Sequence, residues 1–255
     1  MRAALAIAGV LAVALATLPP THAQSRPIPP DQLRSGIGFA GADVRAMQAD
    51  DLANPGFLWV QRGEALWKGN CTSCHGGAGS MRGVAARYPA YDATSKSVLD
   101  LEARIEQCRV ERQRAPAFGR ESEDLLSLAT FVVFQSRGMP LDVSIDGPAR
   151  ASFERGQAFY RTRHGQMNLA CTHCHDQHWG KRLYNETISQ GHGTAFPAYR
   201  LEWQTLGSLQ RRLRACLFGV RAEMPPPGAP ELTDLELYLA WRANGLPLES
   251  PGVRR

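Results

Sequence analysis

The sequence predicts a mainly α-helical protein built from two related units in tandem. Apolar residues recur at helical spacing, and no stretch alternates polar and apolar residues convincingly enough to indicate paired strands. Short sequence markers also recur in the same order in the two halves of the chain, which indicates an internal duplication. Together, these observations favour two similar helical domains over one large irregular domain.

Composition and charge exclude several protein classes. The chain has 255 residues, of which 44% are hydrophobic and 21% charged, so a disordered or fibrous protein is excluded. This length suits one large domain or two of roughly 100 residues. The formal net charge is +5, or +4 without Arg2, a mild excess that does not predict nucleic-acid binding but suits small anions or acidic protein partners.

The first 23 residues resemble a secretory leader. Arg2 precedes an apolar run over residues 3–18, and a small residue stands at Ala23, where cleavage would occur. The alternative is an uncleaved membrane anchor, although the run is short for a span. No other stretch of the sequence is long enough to cross a membrane, so we expect an exported, periplasmic protein. Residues 24–50 form a proline-rich N-terminal extension.

The duplication sets the predicted domain boundaries. Each unit is predicted as a helix, a cysteine motif, a loop and two further helices, with domains at residues 51–147 and 148–255. The matched markers are Arg62-Gly63 with Arg155-Gly156, Asp124-Leu125 with Asp234-Leu235, and Gly138–Leu141 with Gly245–Leu248. The first helix of each unit is predicted to end within residues 64–69 or 157–161. The second helix is predicted over residues 97–109 in the first unit and, in the second unit, to include Leu206, Leu209, Leu213 and Cys216. The closing helices are predicted over residues 124–136 and 233–244.

Cys-x-x-Cys-His, the sequence signature of covalent haem c attachment, occurs twice in the chain. In such a motif, two thiols bond the haem vinyl groups and the histidine binds the iron. The sequence therefore predicts two haems c, on Cys71, Cys74 and His75 and on Cys171, Cys174 and His175. A four-cysteine zinc site is the main alternative, but it leaves both histidines and the duplication unexplained.

The two remaining cysteines are candidates for the second axial ligand of each iron. Cys108 and Cys216 occupy equivalent positions in the two units, and a thiolate is a competent haem ligand. A Cys108–Cys216 disulfide is an alternative that suits an exported protein. Met224 could instead bind the second iron, whereas the matching segment of the first unit, Arg114–Pro116, contains no methionine.

An arginine stands four residues before each lone cysteine, on the same helix face. Arg104 and Arg212 could each stabilise the nearby thiolate, although a solvated or propionate-binding role is favoured for Arg104. Arg212 has further positive neighbours at Arg211, Arg214 and Arg221, a surrounding that suits a small dianion.

These residues taken together resemble the SoxA family, the dihaem subunits of SoxAX thiosulfate-oxidising cytochromes. The resemblance covers about residues 52–248 and is carried by both motifs, both lone cysteines and the segment Arg212–Glu223. It implies a thiotransferase that joins thiosulfate oxidatively to a cysteine of the carrier SoxYZ. In the family, the cysteine matched by Cys216 is catalytic and carries a persulfide, and the arginine matched by Arg212 binds substrate.

The resemblance also implies partners and leaves other functions open. A SoxX-like monohaem cytochrome is the expected heterodimer partner, and it passes electrons to a small cytochrome c. Lys181 is a candidate second cation near the substrate. The alternatives are a plain dihaem electron carrier and a thiosulfate dehydrogenase that forms tetrathionate. A peroxidase is disfavoured because a cysteine ligand is available in both units.

Overall fold

The computed structural model describes residues 26–255 as a mainly helical fold, so this part of the prediction is confirmed; the predicted leader at 1–23 lies outside the described residues. The helices are α1 (Ala42–Ala49), α2 (Phe57–Asn70), α3 (Thr72–His75), α4 (Leu101–Gln107), α5 (Glu123–Phe134), α6 (Arg150–Arg161), α7 (Cys171–His175), α8 (Leu209–Gly219) and α9 (Pro230–Arg242). None of the helices in this range is long and apolar enough to cross a membrane.

Within residues 26–255, seven short strands accompany the helices, whereas the sequence pattern predicts no paired strands. They are β1 (Ala90–Asp92), β2 (Ser97–Leu99), β3 (Arg182–Leu183), β4 (Glu186–Thr187), β5 (Ala198–Arg200), β6 (Thr205–Gly207) and β7 (Gly252–Arg254). β1 pairs with β2 and β3 with β4, both antiparallel, and a three-stranded sheet has the order β6-β5-β7. Strands of two or three residues are too short to show a clear alternating pattern.

Two helix predictions are wrong at their N-terminal ends. Ser97–Leu99 is strand β2, and α4 begins only at Leu101, where the Asp100 side chain accepts a hydrogen bond from the backbone N–H of Ala103 at 2.7 Å. Leu206 likewise lies in β6, and Ser208 caps α8 by accepting from the N–H of Arg211 at 3.0 Å. In both places a side-chain cap starts the helix after the strand.

Two helix pairs have the same contacts at their crossing points. α2 packs on α5 and α6 on α9, and a Cβ at Gly63 or Gly156 would overlap the facing backbone at Ser127 or Asp234. The preceding arginine of each helix pairs with an aspartate of the partner helix: Arg62 with Asp124 and Arg155 with Asp234, each at 2.6 Å. The first two sequence markers are therefore contact residues of the helix pairs.

The third marker joins the two halves of the molecule. Residues 138–141 and 245–248 lie antiparallel, with Gly138 N–H donating to the Leu248 carbonyl at 2.8 Å and Leu141 N–H to the Leu246 carbonyl at 2.9 Å. The larger hydrophobic cluster also combines residues from both halves, including Val133, Leu141, Phe153 and Tyr238. The two halves therefore share a core.

The N-terminal extension and the closing helices complete the description. Residues 30–32 and 36–39 form 3-10 turns, and α1, which the sequence did not predict, packs on β7. The closing helix α5 begins one residue before the predicted position 124, and α9 begins three residues before the predicted position 233. Each helix ends two residues before its predicted end, 136 or 244. Both are confirmed in position and type.

Candidate functional site

The first Cys-x-x-Cys-His motif follows the C-terminal end of α2. Cys71 caps α2 and precedes α3, which ends at His75. The ring of Trp67, buried on α2, lies 5.7 Å from the His75 ring between centroids, and the Trp67 indole N–H donates to the Gly76 carbonyl at 3.3 Å. This packing places the histidine beside an apolar cluster that also contains Phe131.

The second motif forms α7, and its histidine is held by the backbone of a distant segment. His175 Nδ1 lies 2.8 Å from the Ser189 carbonyl, so Nδ1 carries the proton and Nε2 is left available for iron. Burial lowers the pKa of His175, which keeps the imidazole in the neutral form that binds metal. Gly191 has φ +74°, and a Cβ there would lie 2.9 Å from the His175 ring. The donor set therefore fits a haem iron.

The two lone cysteines lie near different motifs. Burial first, and then the neighbouring Cys108 thiolate, raise the pKa of Cys71 to about 11. Burial and then Cys216 raise the pKa of Cys171 to about 12, and the same two causes raise that of Cys174. Each lone thiol is therefore close to the thiols that would anchor one haem.

The two alternative uses of these cysteines are not observed. All six cysteines are free, so the Cys108–Cys216 disulfide does not form. Within residues 26–255, no three His, Cys, Asp or Glu side chains are grouped to hold a metal ion. Four cysteines in two separate pairs, each pair with its own histidine, suit covalent attachment of a porphyrin instead.

The lone cysteines differ in backbone structure and exposure. Cys108 starts a π-helical turn, Cys108–Arg112, whereas Cys216 lies within α8 and is exposed. The segment after Cys108 folds back on the turn: both Glu106 carboxylate oxygens accept backbone N–H groups, from Phe118 at 3.0 Å and Gly119 at 2.6 Å. Cys216 is thus the more accessible thiol.

Arg104 and Arg212 have different surroundings. Arg104 donates to Asp92 at 3.2 Å and to Gln107 at 2.6 Å and is half-exposed, which agrees with the solvated interpretation. No carboxylate in residues 26–255 forms a salt bridge with Arg212, and its charge contributes, after burial, to the lowered pKa of His175. Arg212 is therefore near the second motif and available to an anion.

Comparison with known proteins identifies the family. A family model described as the SoxA/TsdA cytochrome c domain matches residues 59–141. The chain is 39% identical to the L-cysteine S-thiosulfotransferase subunit SoxA of Pseudaminobacter salicylatoxidans, over 89% of this chain and 82% of the relative. The SoxA subunit of Rhodovulum sulfidophilum is 37% identical, over 88% and 81%. The chain belongs to the SoxA family.

A solved structure agrees with this membership. The crystal structure of SoxXA from P. pantotrophus matches with a TM-score of 0.83 and 35% identity, over 87% of this chain and 86% of that chain. Because the matched family model is a cytochrome c domain, haem c is the cofactor of this SoxA-family chain. The resemblance inferred from the motifs is thus confirmed.

A buried cluster behind the second motif was missed by sequence reasoning. Asp176, directly after His175, accepts from the Tyr160 hydroxyl at 2.9 Å and pairs with Arg242. Arg242 is almost fully buried in α9, stacks 4.5 Å from the Tyr160 ring and donates to the Gln190 carbonyl at 3.1 Å. An arginine within an apolar closing helix was the available signal. The cluster fixes α7 against α6 and α9.

Other predicted residues are placed without a clear role. Lys181 is exposed where the β3–β4 hairpin begins, and Met224 is exposed after α8. The Arg214 Nε is buried without a hydrogen-bond partner, and the Arg221 backbone has φ +56°. Lys181 as a second cation and Met224 as an iron ligand stay predictions.

Proposed function

We propose that this chain is the SoxA subunit of an L-cysteine S-thiosulfotransferase, which joins thiosulfate to a cysteine of a SoxYZ-like carrier. Membership of the SoxA family supports the activity. The observation that carries the assignment of the site is the position of Cys216: it lies beside Cys171 and Cys174, is exposed, and follows Arg212 by one helical turn. This arrangement supports a single site that combines the thiol, the cation and the haem attachment residues.

The same proposal assigns two haems c. Two cytochrome c-like units at 51–147 and 148–255, related by duplication, would each bind one haem. Repeated glycine contacts and ion pairs in the two helix pairs support this division. The proposed attachment residues are Cys71, Cys74, Cys171 and Cys174, and the axial ligands are His75 with Cys108 and His175 with Cys216.

Each residue of the second site has a defined part in the proposed reaction. Arg212 binds and neutralises the thiosulfate dianion, since no carboxylate of the described chain occupies its guanidinium. Cys216, as a persulfide, would bond through its outer sulfur to the terminal sulfur of thiosulfate, with loss of two electrons. The carrier thiol would then take over the thiosulfate group and restore the persulfide with its proton, and Cys216 is exposed to such a thiol. When bound, the haem accepts electrons one at a time.

The overall reaction balances in atoms and charge. The terminal sulfur of thiosulfate bonds to the sulfur of a carrier cysteine, which gives a cysteine S-thiosulfonate. One proton and two electrons are released. A SoxX-like monohaem partner, supported by the match to a SoxXA structure, would receive the electrons and pass them to a small cytochrome c. The predicted leader at 1–23 would direct the chain to the periplasm.

The substitution Cys216→Ser tests the assignment of the catalytic residue. In the haem-loaded complex with a SoxX-like partner, we expect it to abolish carrier-dependent thiosulfate oxidation. Cys108→Ser makes the same change in the other unit, and we expect it to alter the first haem while transfer continues. Retained transfer in Cys216→Ser would contradict the proposal, and tetrathionate formation without a carrier would favour a thiosulfate dehydrogenase.

A further inference from the structure

A buried arginine at the end of β5 has an unused hydrogen-bond donor. The Arg200 side chain is only 5% exposed, and its Nη2 donates to Glu202 Oε2 at 2.8 Å. Its Nε–H is buried and has no partner in the described chain. Because buried donors in folded proteins are nearly always satisfied, this N–H calls for an acceptor from outside the described chain, either a water molecule or an anion.

The topology places Arg200 beside the start of α8. Arg200 lies opposite Thr205 in the β5–β6 pair, and β6 leads through Ser208 directly into α8. The guanidinium groups of Arg200 and Arg211 both lie over the Trp203 ring, 5.0 and 4.3 Å from its centroid. The unused donor is therefore near the first turns of the helix that carries Arg212 and Cys216.

Charge around this position favours an anion. Burial, and then the positive charge of Arg212, lower the pKa of Arg200, so the Arg212 charge lies within electrostatic range of Arg200. Glu202 is the one carboxylate that pairs with Arg200 within residues 26–255, and its side chain is 60% exposed. The hydrogen bond from Arg200, and more weakly the charge of Arg212, lower the pKa of Glu202, so this single exposed carboxylate faces both arginines. Arg211 adds a third positive charge beside Arg200 over the Trp203 ring, so a further anion would be stabilised here.

We propose that Arg200 and Arg212 together hold one oxyanion, with the buried Arg200 Nε–H donating to one of its oxygens. The inference deepens the proposed function and rests on it, because it adds a second binding residue to the same site. Two groups offer this chemistry there: the sulfonate of thiosulfate and a carboxylate of the haem propionates. The experiment distinguishes them.

Arg200→Lys keeps the positive charge but removes the Nε–H donor, and it is tested in the haem-loaded complex with its SoxX-like partner. Arg254→Lys is the matched control, because Arg254 lies opposite Arg200 on β7 and its guanidinium is already bonded to Gln48 and Glu249. Three quantities are measured: KM for thiosulfate, kcat, and the midpoint potential of the haem at several pH values.

A rise in KM of about tenfold or more, with kcat and potential close to the control, supports the proposal with sulfonate as the anion. An unchanged KM with an altered pH dependence of the potential supports it with propionate as the anion. If Arg200→Lys matches Arg254→Lys in all three quantities, the proposal is overturned.

Glu202→Gln keeps the test decisive if Arg200→Lys does not fold. Glu202 is mostly exposed, so folding should survive, and removing its charge frees Arg200 for the competing anion. We expect KM to fall severalfold or the potential to shift; no change in either would overturn the proposal. If the proposed function itself is wrong, the wild-type complex lacks carrier-dependent thiosulfate oxidation. In that case the midpoint potential of the haem still shows whether Arg200 binds a propionate.

Discussion

At the residue scale, the proximal histidine of the second site depends on one glycine. Gly191 has φ +74°, where a side chain is strained, and its missing Cβ leaves room for the His175 ring. The imidazole can therefore keep its bond to the Ser189 carbonyl and direct Nε2 away from the backbone.

We expect Gly191→Ala to disturb the second haem specifically, because the new methyl group would displace the His175 ring. Gly180→Ala is the matched control: Gly180 also has a positive φ, +83°, but nothing lies within 4 Å of its Cβ position. The control should cost about 1 kcal/mol of stability through backbone strain alone. The visible and EPR spectra of the oxidised haem protein measure the difference, and identical spectra for both variants would contradict the account of Gly191.

A second residue-scale feature is a buried acid cluster between α4 and α9. Asp100 accepts from Arg120 at 2.8 Å, and Gln210 donates to the same carboxylate at 3.1 Å. Burial first, and then the charge of Asp100, raise the pKa of Glu102 to about 8 and raise that of Glu236 as well. Glu102 is therefore mostly protonated in the folded protein near neutral pH, and burial favours the neutral form of Glu236 as well.

This cluster predicts how stability varies with pH. Between about pH 4.5 and 8 the folded protein holds a Glu102 proton that the unfolded chain has lost, so the contribution of Glu102 to stability falls as pH rises. Glu102→Gln stays neutral and should flatten that fall, whereas exposed Glu64→Gln should not. Thermal unfolding at pH 5, 6, 7 and 8 measures the dependence of stability on pH. The same dependence in wild type and Glu102→Gln would contradict the prediction.

The motifs could be predicted at this scale, but the groups that orient them could not. The Cys-x-x-Cys-His signature is local, because all three side chains must reach one porphyrin. The partners of the motif residues are distant: Ser189 is 14 residues from His175, and Arg242 is 66 residues from Asp176. Spacing in the sequence carries no signal for such contacts, and for the same reason Arg200 was not predicted.

At the element scale, the close approach of α2 to α5 depends on Gly63. A Cβ at this position would overlap the Ser127 backbone and lie 2.6 Å from Phe131 Cβ, so the two helices would have to separate. Gly69, on the same helix, has open space around its Cβ position. The two glycines therefore differ in packing although both lie within α2.

We expect Gly63→Ala to destabilise the protein by about 1–3 kcal/mol or more, because overpacking forces the helices apart. Gly69→Ala should instead stabilise it by up to about 1 kcal/mol, because alanine favours the helix. Denaturant unfolding of both variants measures the difference in the free energy of unfolding. Equal effects of the two substitutions would show that the Gly63 contact does not limit helix packing.

Element boundaries were the least predictable part of the fold. Val98, Leu101 and Ile105 have helical spacing, yet Val98 lies in β2 because it pairs with Tyr91. The Asp100 cap then starts α4 one residue later. The pairing of a three-residue strand is decided by tertiary contacts, whereas the longer α5 and α9 are predictable from their caps and apolar faces.

At the scale of the whole molecule, the repeated markers act as contacts. Arg62 and Arg155 hold equivalent aspartates, and the segments 138–141 and 245–248 pair with each other across the middle of the molecule. The sequence showed these markers as repeats but not that one pair would meet. We infer that the markers recur because each helix pair, and the junction between the halves, needs the same contacts.

The asymmetry between the halves concerns function. At the first site, the Glu106 carboxylate accepts from the backbone N–H groups of Phe118 and Gly119, and the nearby Arg104 is bonded to Asp92. The second site has an exposed Cys216 and an arginine with no carboxylate partner in the described chain. This difference supports transfer chemistry at the second site and electron storage or a structural role at the first.

Low-temperature EPR of the purified, oxidised, haem-loaded chain tests the central claim, that each motif has its own thiolate ligand and that Cys216 serves the second haem. We predict two low-spin histidine–thiolate signals, one of which is lost in Cys216→Ser and the other in Cys108→Ser. A histidine–methionine signal for the second haem, insensitive to Cys216→Ser, would contradict the account and assign Met224 as the ligand.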